Sequence, residues 1–170
     1  MKVTLALVLT LVTGILFFTH TEKSKAVAAP SVYFPDLVEN IEVLDPTKSM
    51  NTVAVPNDQD ARMALLDSIF NYICATKILH KDIVMKQVIW ETGWLKGQYL
   101  MSRNNLFGFR YKEYLRFSSW QESVDYYEKW QQTYYLDPKE DYYNFLLRIK
   151  YSNSRYPGHL KSLTYSKSCS

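Results

Sequence analysis

From Asn57 onward, apolar residues return every three or four positions. Leu66, Ile69, Phe70 and Ile73 form an i, i+3, i+4, i+7 stripe, and Asn57 or Asp58 stands where a cap belongs, so a helix is predicted to about Thr76. Val84, Met85, Val88 and Ile89 repeat the pattern in a second helix. Asp82 can cap its start, and Gly93 can end it, because glycine takes the left-handed conformation of a helix terminus without steric cost. The period then changes. Phe107, Phe109, Tyr111, Leu115 and Phe117 fall on alternate positions and predict a short β-hairpin turning at Lys112-Glu113, where the Gly or Asn favoured in tight turns is missing. Ser119 and Glu122 stand at capping-box spacing and open a helix to about Thr133. Asp137-Pro138 interrupts the chain. A further helix is predicted from about Glu140 to Ile149, with Tyr143, Leu146 and Leu147 inward, and a short helical piece around Leu160–Leu163 after the Pro157-Gly158 turn. The sum is a mainly α domain with one short β-hairpin.

The chain before Asn57 reads differently. Met1-Lys2 gives a positive start, and Val3 to Phe18 is an apolar run of 16 residues without charge, short of the roughly 20 that a membrane-spanning helix needs. Ala26-Val27-Ala28 then fits a small-x-small cleavage site, so residues 1–28 have the layout of a secretory signal. An uncleaved anchor is the alternative, and either implies export to the periplasm or cell envelope. In both cases membrane contact is confined to this segment. Residues 29–57, with four prolines and no sustained period, form a linker or N-terminal arm. Residues 58–165 form the domain.

Charge narrows the classes of partner. Without residues 1–28 the chain has 17 basic and 16 acidic side chains, a balance that argues against a large nucleic-acid footprint. Aromatic residues make up 15% of the sequence, with 14 Tyr and 4 Trp; they serve cores and sugar platforms alike, so composition leaves both uses open. The two cysteines, Cys74 and Cys169, can pair in an exported protein, and sequence alone leaves that open. No Cys/His spacing resembles a metal site, and His80 and His159 read as ordinary surface or core histidines. No metal or other cofactor is expected.

One residue breaks a rule. Glu91 lies in the last turn of the second helix, where unpaired carbonyls disfavour a carboxylate by roughly 0.3–1 kcal/mol. It shares a face with Val84 and Val88, and Trp90 and Trp94 flank it. Both settings destabilise the ionised form and raise the pKa. An acid that keeps its proton near neutral pH suits protonation of a glycosidic leaving oxygen. Taken locally, a surface Glu with chance aromatic neighbours explains the same residues.

Four segments together carry a resemblance. Residues 87–94, with Glu91, Thr92, Gly93 and Trp94 closing an apolar helix, resemble the catalytic helix end of the flagellar- and autolysin-type endo-β-N-acetylglucosaminidases, glycoside hydrolase family 73. The run Asn104, Asn105, Leu106, Phe107, Gly108, the helix start at Ser119–Ser123, and the segment from Arg148 through Tyr151 to Tyr156 follow in that family's order. The resemblance covers roughly residues 60–163. It implies a lysozyme-like helical fold, a groove for peptidoglycan glycan strands, and hydrolysis of the β-1,4 bond after N-acetylglucosamine. It implies Glu91 as general acid, Asn104 and Asn105 shaping the groove floor, and Tyr156 approaching the cleaved sugar. Phe107 and Tyr114 are further candidates for substrate contact; Trp94 is another, with a structural wedge below the site as its second reading.

The second carboxylate is the departure. Many members carry one on a longer hairpin, whereas here the hairpin is short and holds only Glu113, the candidate for that role. Glu122 is already explained by the capping box. The substrate's own acetamido group is the other available nucleophile. The short hairpin also motivates an alternative function, a non-catalytic or weakly active peptidoglycan-binding module. A stem-peptide amidase is less supported, since no zinc-ligand cluster is visible and Cys74 lies on an apolar helix face.

Overall fold

The computed structural model describes residues 58–169. Six helices follow one another among them: α1 (Gln59–Ala75), α2 (Lys81–Thr92), α3 (Gln98–Met101), α4 (Trp120–Tyr134), α5 (Tyr142–Arg148) and α6 (Tyr156–Ser162). The domain is mainly helical. The expected signal segment and arm lie outside the described residues.

α1 begins where the cap signal stands. Asp58 Oδ2 accepts from the Ala61 amide at 3.1 Å, satisfying one of the unpaired donors of the first turn. Its stripe Leu66, Ile69, Phe70 and Ile73 is buried. α2 is the central element, packed against α1, α3 and α6. Seven of its twelve residues are buried, spread around its circumference, as a helix enclosed by neighbours requires. Its cap differs from expectation. Helix α2 starts at Lys81, so Asp82 sits inside the first turn, and the residue before it is His80 in left-handed conformation with φ 53°. The His80 ring bonds to the Tyr135 hydroxyl at 2.9 Å and stacks on Tyr142 at 4.8 Å, contacts that fix this entry without a side-chain cap.

α4 starts as the capping box predicts, with Ser119 Oγ accepting from the Glu122 amide at 3.2 Å. Glu122 reaches back one residue further than expected, to the Ser118 amide and hydroxyl, both at 2.6 Å. α5 is shorter than predicted and rotated. Asp141 caps it, and Tyr142, Phe145 and Leu146 face the core, whereas Leu147 is exposed and Tyr143 half-buried. The rotation follows from Tyr142. Its hydroxyl is buried in a chain of hydrogen bonds with Tyr127 (2.6 Å) and Gln131 (2.8 Å), and Tyr127 bonds on to Gln87 of α2 (2.6 Å). Such a network needs every member in place, because an unpaired buried hydroxyl is costly.

The predicted β-hairpin is not present. Between Phe107 and Phe117 the described chain makes one isolated antiparallel bridge, Arg110 to Tyr114. The reason is a side chain. Asn105 Nδ2 donates to Phe109 O (2.8 Å) and Leu115 O (3.0 Å), while its Oδ1 accepts from the Phe109 amide (3.0 Å). The asparagine thus stands between the Phe109 amide and the Leu115 carbonyl, which a ladder would pair, while the Leu115 amide still donates to Phe109 O at 2.9 Å, and the alternating aromatics anchor a loop.

The aromatic excess goes largely into the core. Trp130 is fully buried among Phe109, Tyr127, Phe145 and Tyr151, with ring centroids 5.0–5.8 Å apart. Past α6 the tail runs back over α1. Tyr165 meets Phe70 edge-on, Lys167 pairs with Asp67, and Cys169 forms a disulfide with Cys74 across a Cα separation of 5.5 Å.

Candidate active site

The end of α2 is built to hold one position. The Gly93 amide donates to Trp90 O (3.3 Å) and the Trp94 amide to Ile89 O (2.9 Å), the paired bonds of a Schellman terminus. Gly93, Trp94 and Leu95 then have φ of 56°, 61° and 59°, three left-handed residues in a row. For each of the two non-glycine residues this costs roughly 1–2 kcal/mol. Thr92 offsets the strain. Its hydroxyl donates to Val88 O (2.7 Å) and accepts from the Leu95 amide (3.0 Å), and its carbonyl receives the Gly97 amide (2.8 Å). Backbone strain held this firmly is typical of functional positions.

Glu91, in the last turn, is a half-buried residue. Its Oε1 accepts from the Tyr156 hydroxyl at 2.7 Å. Its Oε2 faces Gly108, where a Cβ in place of the glycine hydrogen would come within 3.0 Å of that oxygen. Burial pushes the carboxyl from the ordinary 4.5 up to about 7, while the Tyr156 hydrogen bond acts in the opposite direction. The shift owes nothing to a neighbouring carboxylate.

Tyr156 is the first residue of α6, and Pro157 behind it carries the backbone angle that a helix start needs. Burial, and then the Glu91 charge, hold its phenol well above the usual range, so it stays a hydrogen-bond donor. The Tyr151 ring lies 5.6 Å from that of Tyr156, and its hydroxyl donates to Phe107 O at 2.7 Å. Tyr151 thereby ties the loop bearing Gly108 to the segment bearing Tyr156. Trp90, one residue before Glu91, stacks on His159 of α6 at 4.3 Å and 12°, a second clasp between the two helices.

The other candidates take these places. Asn104 is buried with φ 51°, and its Nδ2 donates to Phe117 O at 3.1 Å; Asn105 is buried in the loop bonds already described. Phe107 is buried against Tyr127 (4.2 Å), and Trp94 is half-buried against the core. Tyr114 lies at the surface, edge-on to Tyr99 at 5.5 Å. Glu113 is exposed at the tip of the loop, where its backbone carbonyl accepts from the Tyr111 amide at 3.0 Å. The structure therefore joins Glu91 and Tyr156 directly. Two of their partners have no role that the sequence alone assigns: Gly108, which ends the Asn-Asn motif, and Tyr151, which opens the Tyr156 segment. A cavity of about 760 Å³ between the C-terminal tail and the start of α2 is lined by none of these residues.

A carboxyl at a strained helix end, kept protonated towards neutral pH and braced by a tyrosine, is chemically suited to donating a proton. The protein-family model Glucosaminidase, described as mannosyl-glycoprotein endo-beta-N-acetylglucosaminidase, matches residues 69–168, and the chain belongs to this family. No curated protein and no solved structure matches the chain.

Proposed function

We propose that the protein hydrolyses the β-1,4 bond after N-acetylglucosamine in peptidoglycan, with Glu91 as general acid. The observation that carries this reading is Glu91 itself, a half-buried residue at the helix end whose carboxyl burial pushes up to about 7 and whose Oε1 the Tyr156 hydroxyl holds at 2.7 Å. Because Tyr156 donates to Oε1, the transferable proton belongs on Oε2, the oxygen beside Gly108. A glycosidic oxygen arriving there receives the proton as the bond to the anomeric carbon breaks. Tyr156 is a positioning residue in this scheme, and Asn104 and Asn105 shape the loop that forms the floor. Glu113 is the one carboxylate of the short loop, so attack comes from the substrate's acetamido oxygen or from water, with Glu113 the candidate to assist. The family's cell-wall substrate and the apolar run at Val3–Phe18 support a place in the cell envelope.

The test is incubation of the purified protein and its Glu91→Gln variant with bacterial sacculi, with soluble products read by mass spectrometry. New N-acetylglucosamine reducing ends, reduced about 10²–10⁴-fold in the variant, are expected. Full activity in the variant removes Glu91 from its role. Retention on sacculi without product release favours the binding module, the reading that the missing second carboxylate supports. The anomeric configuration of the first product, followed by NMR, separates retention from inversion.

A further inference from the structure

The segment that carries Gly108 is rich in positive charge. Residues 95–117 contain Lys96, Arg103, Arg110, Lys112 and Arg116 against one acid, Glu113. Among the described residues, none of Arg103, Arg110, Lys112 and Arg116 forms an ion pair; the two salt bridges join Arg148 to Glu140 and Lys167 to Asp67. Aromatic rings stand in for carboxylates. Arg103 lies over the Tyr99 ring at 3.8 Å, Arg110 over Tyr114 at 5.5 Å and Lys112 over Tyr111 at 5.8 Å. Tyr99 is 55% exposed and meets Tyr114 edge-on at 5.5 Å, so the two rings join Arg103 and Arg110 into one surface, with Lys112 two residues on from Arg110. The helix that carries Tyr99 packs beside the acid. Leu100, next to Tyr99, lies 3.9 Å from the point where a Cβ on residue 108 would stand, the same point that lies 3.0 Å from Glu91 Oε2.

Arg103 also donates from Nη1 to Tyr99 O (3.2 Å) and Arg116 from Nη1 to Ser102 O (2.8 Å), so each guanidinium is anchored at one nitrogen and keeps its other N–H groups for an oxyanion. Four cations spread over residues 103–116 exceed what one carboxylate needs and fit a ligand carrying several. Resting on the glycan-hydrolase reading, we propose that the Tyr99, Arg103, Arg110, Lys112 and Tyr114 surface binds the carboxylates of the peptides attached to the glycan strand. It thereby selects peptide-substituted strands over bare sugar polymer.

Binding of the full chain to insoluble polymer tests this independently of cleavage, in a Glu91→Gln background that leaves the polymer intact. The polymers are sacculi, sacculi with carboxyls amidated, peptide-stripped glycan strands, and chitin. Arg110→Gln with Lys112→Gln is the main variant, because neither side chain makes a hydrogen bond that holds the loop; Arg103→Gln is the second, checked by thermal unfolding. The double variant is expected to bind sacculi about fivefold more weakly at low salt, with the difference vanishing near 1 M salt. Amidated sacculi and chitin should show no difference between variant and parent. An equal loss on chitin, no loss on sacculi, or salt-insensitive binding by the parent overturns the proposal. A loss of the same size on peptide-stripped strands overturns the assignment to peptide carboxylates. Hydrolysis by the parent with wild-type Glu91 is read separately, so failure of the enzyme reading and failure of this surface give different results.

Discussion

At the scale of the residue, the site depends on one proton. Glu91 is neutral in both folded and unfolded chains below pH 4.5, and the folded protein must ionise a buried group as pH rises through about 7. Its burial therefore costs nothing in acid and is felt fully above neutrality, by about 3 kcal/mol for a shift of this size. Glu91→Gln should leave urea stability unchanged at pH 4 and raise it by about that amount at pH 8. Activity should fall as pH passes through about 7, because the acid form is the working form. The Tyr156 hydroxyl lowers the Glu91 pKa, so Tyr156→Phe should move this descending limb of kcat/KM to higher pH. A purely structural role would lower the profile without moving it. Gly108→Ala adds a Cβ 3.0 Å from Oε2 at a residue with φ of 67°. It should cut activity at least about tenfold and cost about 1–2 kcal/mol in thermal unfolding.

At the scale of the element, most of the helices could be read directly. α1 and α4 were legible because their caps and apolar spacing agree, and local signals need no tertiary help when they coincide; α2 was legible from its stripe and its Gly93 end, but not from its start, which tertiary contacts of His80 fix. α3 was not, since four residues are too few to show a stripe. The supposed hairpin had the right alternation, but Asn105 claims both arms of the loop. Asn105→Ala would leave the Phe109 amide and Leu115 carbonyl without their partner, at a cost of about 2–4 kcal/mol measured by denaturant unfolding. Glu91 was visible as a violation of helix-end chemistry. Its value as a proton donor also rests on α6, whose tyrosine lies 65 residues further along the chain.

At the scale of the whole molecule, the chain closes on itself. The Cys74–Cys169 bond spans 95 residues and encloses α2, the loop and α6, and so all the site residues. Restricting the unfolded chain over a loop of this length contributes about 4–5 kcal/mol. Reduction, or Cys169→Ser, should therefore lower the denaturation midpoint markedly, as followed by circular dichroism with and without reductant. What the sequence determined by itself was the helical class, the stripes of the long helices, and the family motifs in order; it also singled out Glu91. Those are short-range properties, written in spacings of three, four and seven residues. The tertiary structure decided whether the cysteines pair, that the alternating segment is a loop, and that α5 turns Tyr142 inward. It also decided which oxygen of Glu91 is held and which is left open. Each of these depends on groups far apart in sequence sharing one low-dielectric interior, where an unpaired polar atom is too costly to leave and partners are settled by packing.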